Sequence, residues 1–298
     1  VSKFETDLNI QNILLAPDRP ADDKLSLMLQ HALQAHTVSR PQTSDIDILW
    51  PAGRFGLQRS SLYQSLSPLQ QQAILQKLTK LNLSLSYWIE KSGHQYGAKM
   101  ILLSDTLQEK SLYALFAAEE AIHLQEFLHF MNFKPQWGEH AHPMLIPLAN
   151  AIAGGEKSAL VFIIQVLLEG FGMSHYSGLM QSCLHPQLRE AYARILKDEA
   201  RHHGAGLLLT NESVPTKLAR EQIFEYAREF ITALQSANWI KKALEDVAGE
   251  MSSSAENRFW SELDYQKELG QRRLKLREMI EKVDRYGLAE SLVADGVL

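Results

Sequence analysis

Residues 117–123 read AAEEAIH and residues 197–203 read KDEARHH, and each string carries a Glu-x-x-His pair in a helix-forming context. Three residues turn a helix by about 300°, so the two side chains of such a pair sit roughly 60° apart on one face and can reach a single metal ion. The spacing alone is weak, because the chain holds it four times: Glu120 with His123, Glu126 with His129, Glu139 with His142, and Glu199 with His202. A second regularity selects two of them. Glu90 precedes Glu120 by 30 residues and Glu169 precedes Glu199 by 30, so Glu90, Glu120 and His123 map onto Glu169, Glu199 and His202 at a constant offset of 79. Thirty residues before Glu126 stands Tyr96, and Glu139 lies in a loop between Pro135 and Pro143.

Thirty residues of antiparallel helical hairpin return the chain to the same height, so two such hairpins bring four helices to one level. The expected fold is all-α, a four-helix bundle with a long crossover and additional N- and C-terminal helices. Ser67 before Pro68 opens the first bundle helix, since Ser caps free amides and Pro is tolerated in the first turn. That helix runs to about Leu103. Ser104 and Asp105 open a second, which ends near Phe133 before Pro135 and Gly138. Residues 134–155 read as a long connection, with the third helix over about 156–182 and the fourth over 186–209. Residues 1–66, broken by prolines, read as a wrap of the same domain with one helix near Asp23–Ala35. The bundle proper spans 67–210. Residues 211–298 supply two outer helices, about 216–247 and 253–285, and a weakly ordered end from Gly287.

Four carboxylates and one imidazole per metal suit iron or manganese, and two bridging carboxylates would hold two ions close enough to share an oxygen species. The acidic residue before each pair, Glu119 and Asp198, is placed to reach across to the opposing histidine, Glu119 to His202 and Asp198 to His123, fixing its tautomer. One turn before the four glutamates lie Tyr87, Phe116, Gln165 and Ile195, the expected lining of an apolar pocket, and Gly170 and Gly172 follow Glu169 where they could open space for a substrate.

These residues resemble the ferritin-like di-iron carboxylate superfamily, in which two helices each give a Glu and two each give Glu-x-x-His. AAEEAIH and KDEARHH look like the metal-binding helices of ribonucleotide reductase small subunits, bacterial multicomponent monooxygenases and related oxidases. The stretch SSLYQSLSPLQQQAIL is similar to di-iron arylamine N-oxygenases, but their extra ligand histidine falls at a position occupied here by Ile195. Aldehyde-deformylating oxygenases share the ligand set in shorter chains without the outer helices. The resemblance implies an O2-activating di-iron oxidase or oxygenase that acts on a small organic substrate and uses two Fe ions, or a Mn/Fe pair. The chain holds no electron-carrying module of its own, so a separate ferredoxin or reductase is expected. Two other readings compete: a ferroxidase or peroxide-scavenging protein, and a metal-free helical scaffold.

Composition narrows the remaining classes. A net charge of -5 and a pI near 6.1 give no basic face for nucleic acid. The single cysteine, Cys183, excludes a disulfide framework, a Cys-rich zinc site and a rubredoxin-like centre within the chain. The longest apolar run, Ala159–Leu168, is far short of the roughly 20 residues that cross a bilayer. The first residues, VSKFETDLNI, lack the pattern of a secretion signal. A cytoplasmic location is therefore expected, and a homodimer is compatible with the sequence.

Overall fold

The computed structural model describes residues 19–34, 48–137, 142–284 and 286–298, and within them the chain is helical with no strand. The elements are α1 (Lys24–Gln34), α2 (Ser61–Ser65), α3 (Pro68–Leu103), α4 (Leu107–Leu128), α5 (Leu145–Gly154), α6 (Lys157–Ser182), α7 (Pro186–Glu212), α8 (Lys217–Leu234), α9 (Asn238–Ala248), α10 (Ser253–Glu262), α11 (Tyr265–Glu281) and α12 (Leu288–Ala294).

Local chemistry explains where the long helices begin. Ser67 accepts from the Gln70 amide while the Gln70 side chain accepts from the Ser67 amide, a reciprocal cap placed just before Pro68. At 36 residues α3 is about 54 Å long. Thr106 caps α4 through the Glu109 amide, two residues later than the Ser104 expected to open it, because the Ser104 hydroxyl donates back to the Met100 carbonyl. Pro186 occupies the first turn of α7, and His185 Nδ1 accepts from the Leu188 amide.

The long helices pack as two pairs, α3 with α4 and α6 with α7, and the pairs meet through α4 and α7. Segments of α6 differ in winding. Val161–Glu169 is π-helical between two α-helical stretches, and Val161–Leu168 is buried on every side, Gln165 included. π-helical turns are rare and frequently lie at functional sites. By length and composition α6 would pass for a membrane-crossing helix, but most of its apolar window is buried inside the chain. The apolar run Ala159–Leu168 is its buried middle.

Several expected boundaries change. The connection 134–155 contains α5, whose Pro147 falls in the first helical turn where its missing amide costs nothing. The helix expected over 216–247 breaks at residues 235–237. The one expected over 253–285 breaks at Asp264, which adopts a left-handed φ of 55°. The end expected to be weakly ordered forms α12, with Leu292 fully buried and Val297 and Leu298 packed on the core. From the N-terminal wrap, Trp50 Nε1 donates to the Leu179 carbonyl and the Leu49 amide to Thr79 Oγ1.

Two apolar clusters fill the interior. One joins α5, the π segment, α8, α12 and the C-terminal half of α3. The other joins the N-terminal wrap, the first half of α3, the end of α4, the start of α7, α9 and Phe259. Each long helix crosses from one to the other, and each predicted ligand sits at the crossing: Glu90 between Leu83 and Tyr96, Glu120 and His123 between Phe116 and Phe127, Glu169 between Leu168 and Tyr176, and Glu199 and His202 beyond Ile195.

Candidate metal centre

The two histidines face each other across the cluster, ring centroids 6.4 Å apart. Around them, one ligand atom from each of Glu90, Glu120, His123 and Glu199 falls within a 4.8 Å group, and Glu169, Glu199 and His202 form a second. Glu120 turns Oε1 to within 3.3 Å of His202 Nδ1 and Oε2 to within 3.8 Å of His123 Nδ1. Glu199 does the same from the opposite helix, Oε1 at 3.7 Å from His123 Nδ1 and Oε2 at 3.8 Å from His202 Nδ1. Glu90 Oε2 stands 3.1 Å from His123 Nδ1 alone. Two carboxylates therefore span both halves, while Glu90 serves the His123 half and Glu169 the His202 half.

The outer ring nitrogens are held as well. Asp198 Oδ2 lies 3.1 Å from His123 Nε2 and Glu119 Oε2 lies 2.8 Å from His202 Nε2. Arg201, which sequence reading passed over inside KDEARHH, ties these carboxylates together, with Nη2 at 2.5 Å from Glu119 and 2.8 Å from Asp198. Each inner Nδ1 is thereby left as the atom that faces the carboxylates.

Burial and charge make this arrangement costly without cations. Burial first, and neighbouring carboxylates after it, push Glu169 and Glu199 well above the usual carboxylate range. Burial and then the charge of Glu120 raise Glu90 to about 7, against the pull of His123. Glu120 goes the other way: burial would raise it, but hydrogen bonds with His123 and His202 hold it low. Burial works against charging both histidines, yet hydrogen bonding to Asp198, Glu120 and Glu90 as acceptors raises His123 well above its ordinary value, and bonding to Glu119 and Glu120 raises His202 to about 11. Protons thus sit where a cation would.

Three observations fit the residues to a pair of divalent ions. No Lys or Arg lies within ion-pair distance of the four inner glutamates among the described residues. Glu169 Oε2 is buried without a hydrogen-bond partner. Gly93, one turn after Glu90, leaves the space that the Glu120 carboxylate fills, since a Cβ there would fall 2.5 Å from Glu120 Cδ.

The other Glu-x-x-His pairs are placed elsewhere. Glu126 pairs with Arg194 at 2.8 Å. Glu139 and His140 lie outside the described residues. Tyr176, seven residues after Glu169 and so two turns along the same face, donates to Glu90 Oε1 and was missed by reasoning that looked only one turn away.

Beside the cluster lies a cavity of about 410 Å³, bordered by Glu120, Glu169 and Glu199. None of the expected lining residues borders it. Phe116 stacks on His202 with centroids 4.0 Å apart, Ile195 belongs to the second core cluster, and Tyr87 packs edge-on against Trp88. Gln165 is a fully buried pin: its Oε1 accepts from Tyr96 and Tyr113, and its Nε2 donates to the His202 carbonyl. The correction has a geometric cause. α4 and α7 pack together and close one side of the cluster, so the cavity opens on the other, between α3 and α6, and residues one turn away on α4 and α7 lie behind the ligands. Of the two glycines expected to open space, Gly172 borders the cavity and Gly170 packs against His203 and Met279. The C-terminal helices do more than pack outside, because Trp239, Ile240, Trp260 and Leu263 form the cavity's outer wall.

Compared with family models, with curated proteins and with solved structures, the chain finds no match. The functional reading rests on its own residues.

Proposed function

We propose that the chain is an oxygen-activating di-iron oxidase or oxygenase built on a ferritin-like four-helix bundle formed by α3, α4, α6 and α7, and that it acts on a small organic substrate. The observation that carries this reading is the convergence of four buried glutamates and two histidines from four helices, with Glu120 and Glu199 each spanning both histidines. In this reading Glu90 and His123 would help hold one ion and Glu169 and His202 the other, with Glu120 and Glu199, which face both histidines, available to both. A pair of ferrous ions, or a Mn/Fe pair, would supply the electrons that reduce O2.

The chain's own residues do the rest. Asp198 and Glu119 keep each histidine in the tautomer that presents Nδ1, and Arg201 fixes those two carboxylates. Tyr176 holds a proton against Glu90 Oε1. The apolar walls keep bulk water from the reacting face. The cavity favours substrate oxidation over ferroxidase or peroxide-scavenging chemistry, because it places a room for an organic molecule directly against three of the ligand carboxylates. Repeated turnover would draw electrons from a separate ferredoxin or reductase.

The test is metal content after anaerobic iron loading, followed by O2 uptake in an oxygen electrode, for the parent and for Glu120→Ala. Two irons per chain and O2 uptake that both collapse in the variant support the reading. Iron no higher in the parent than in Glu120→Ala would overturn it.

A further inference from the structure

The end of the cavity away from the glutamates is chemically unlike its middle. The middle is apolar, walled by Leu85, Ile89, Leu148, Ile164, Leu168 and Trp239. Arg54, Arg272, Lys275, His142 and His175 also border the cavity, and the charges of Arg54, His142 and Arg272 reach His175. Arg54 Nη1 lies 3.2 Å from the place a Cβ on Gly178 would occupy. Gly178 is nine residues after Glu169, so this guanidinium sits roughly 13 Å along α6 from the metal ligand.

These groups are short of acceptors. Arg54 is half-buried and makes no hydrogen bond or ion pair among the described residues, the charge of Glu268 reaching it only at longer range. Arg272 donates Nη1 to the Leu234 carbonyl and has no carboxylate partner among them. His175 Nε2 is inaccessible and has no hydrogen-bond partner. Lys275 donates to Ser174 Oγ. The one carboxylate bordering this end, Glu268, accepts from Arg59 at 3.1 Å. Burial followed by the charges of Arg54 and others holds His175 neutral, at about 3, and burial with Arg272 lowers His142 to about 4. A half-buried guanidinium with no carboxylate in hydrogen-bonding contact is unfavourable, and Arg54 and Arg272, neither in an ion pair among the described residues, beside the unpartnered His175 imidazole make a planar acceptor the fitting occupant.

Building on the metal-centre reading above, we propose that the substrate is an amphipathic carboxylic acid, its carboxylate anchored by Arg54 and Arg272 with His175 beside them, and its apolar body directed along α6 toward Glu169. The anchor selects the substrate class and sets which carbon faces the cluster. An uncharged alcohol or a cationic amine of the same shape leaves the guanidiniums unpaired, and discrimination of this kind is larger than any that apolar contacts alone supply.

The proposal is tested by equilibrium titration of the full chain, metal-free and after anaerobic Fe(II) loading, with decanoate, decan-1-ol and decylammonium. Decanoate is expected to bind roughly tenfold or more tightly than decan-1-ol. Arg54→Gln and Arg272→Gln should each remove most of that preference while leaving decan-1-ol binding and iron content unchanged, which shows the cavity and fold to be intact. Arg54→Lys should retain part of it. Equal binding of acid and alcohol, no binding of either, or a preference untouched by both arginine variants overturns the anchor. So does a preference that disappears only in Glu120→Ala, because the carboxylate would then be sitting on the metal. Failure of the metal reading looks different: no iron is bound, while the arginine-dependent preference persists in the metal-free chain.

Discussion

At His123 and His202 the outer ring nitrogen is as firmly placed as the inner one, and that determines what single substitutions should do. Asp198→Ala and Glu119→Ala each remove an acceptor from a histidine of the proposed metal centre without touching the six inner side chains, so each should weaken Fe(II) or Mn(II) binding by about 10–100-fold, read by competition with a chelator. Asp198→Asn keeps an acceptor oxygen and should lose less. An Asp198→Ala affinity equal to the parent's would show the contact to be idle. Gly93→Ala probes the same site from the other side. Its methyl would collide with the Glu120 carboxylate, so metal content should fall while the circular dichroism of the helices stays unchanged, since Ala favours helix over Gly by roughly 1 kcal/mol. The six side chains that cluster were legible as a doubled spacing in the sequence. Gly93, Arg201 and Tyr176 were not, because their roles depend on which helix lies opposite them, and spacing within one helix says nothing of that.

Among the elements, the π-helical stretch of α6 and its Gln165 link four helices through one side chain. Tyr96 comes from α3, Tyr113 from α4 and the His202 carbonyl from α7, and His203 Nδ1 donates in turn to the Gln165 carbonyl. Gly206 permits this approach, since a Cβ there would fall 2.4 Å from the Gln165 Cβ. Gln165→Leu keeps the volume but leaves two buried tyrosine hydroxyls without their acceptor, at about 1–3 kcal/mol each. Its urea midpoint should therefore drop well below the parent's with the slope unchanged, and an unaltered midpoint would mean water or a neighbour replaces the amide. Helix starts were readable where a cap is a local matter, as at Ser67–Pro68 and Pro186. Breaks inside the C-terminal helices were not. Asp264 adopts a left-handed conformation without being glycine, and it lies where Arg59 from the distant N-terminal wrap reaches its carboxylate at 3.1 Å, a partner that no local pattern announces. α5 was hidden by a proline whose tolerance depends on its falling in the first turn.

For the molecule as a whole, the cluster makes stability depend on pH differently with and without metal. In the metal-free chain Glu90, at about 7, and Glu169 and Glu199, held by burial well above the usual carboxylate range, keep protons that the unfolded chain releases near that range. His202, at about 11, and His123 keep protons that an unfolded histidine loses near 6.5. Every one of these groups has its folded value raised, so the stability it contributes is fully present below the unfolded value and is lost as pH rises through the folded one. Glu120, held low, contributes stability above the ordinary range and loses it only on acidification, so it does not offset the others between pH 6 and 9. The metal-free protein should therefore melt at progressively lower temperature from about pH 6 to 9. Binding divalent ions would expel these protons, so affinity strengthens over the same window, and free metal near a thousand times Kd adds about 4 kcal/mol per site. Calorimetric melts with and without saturating Mn(II), chosen because it stays divalent in air, should diverge as pH rises, the metal-free curve falling while the loaded one holds. Parallel curves would mean that the protons and the metal do not compete for the same six side chains.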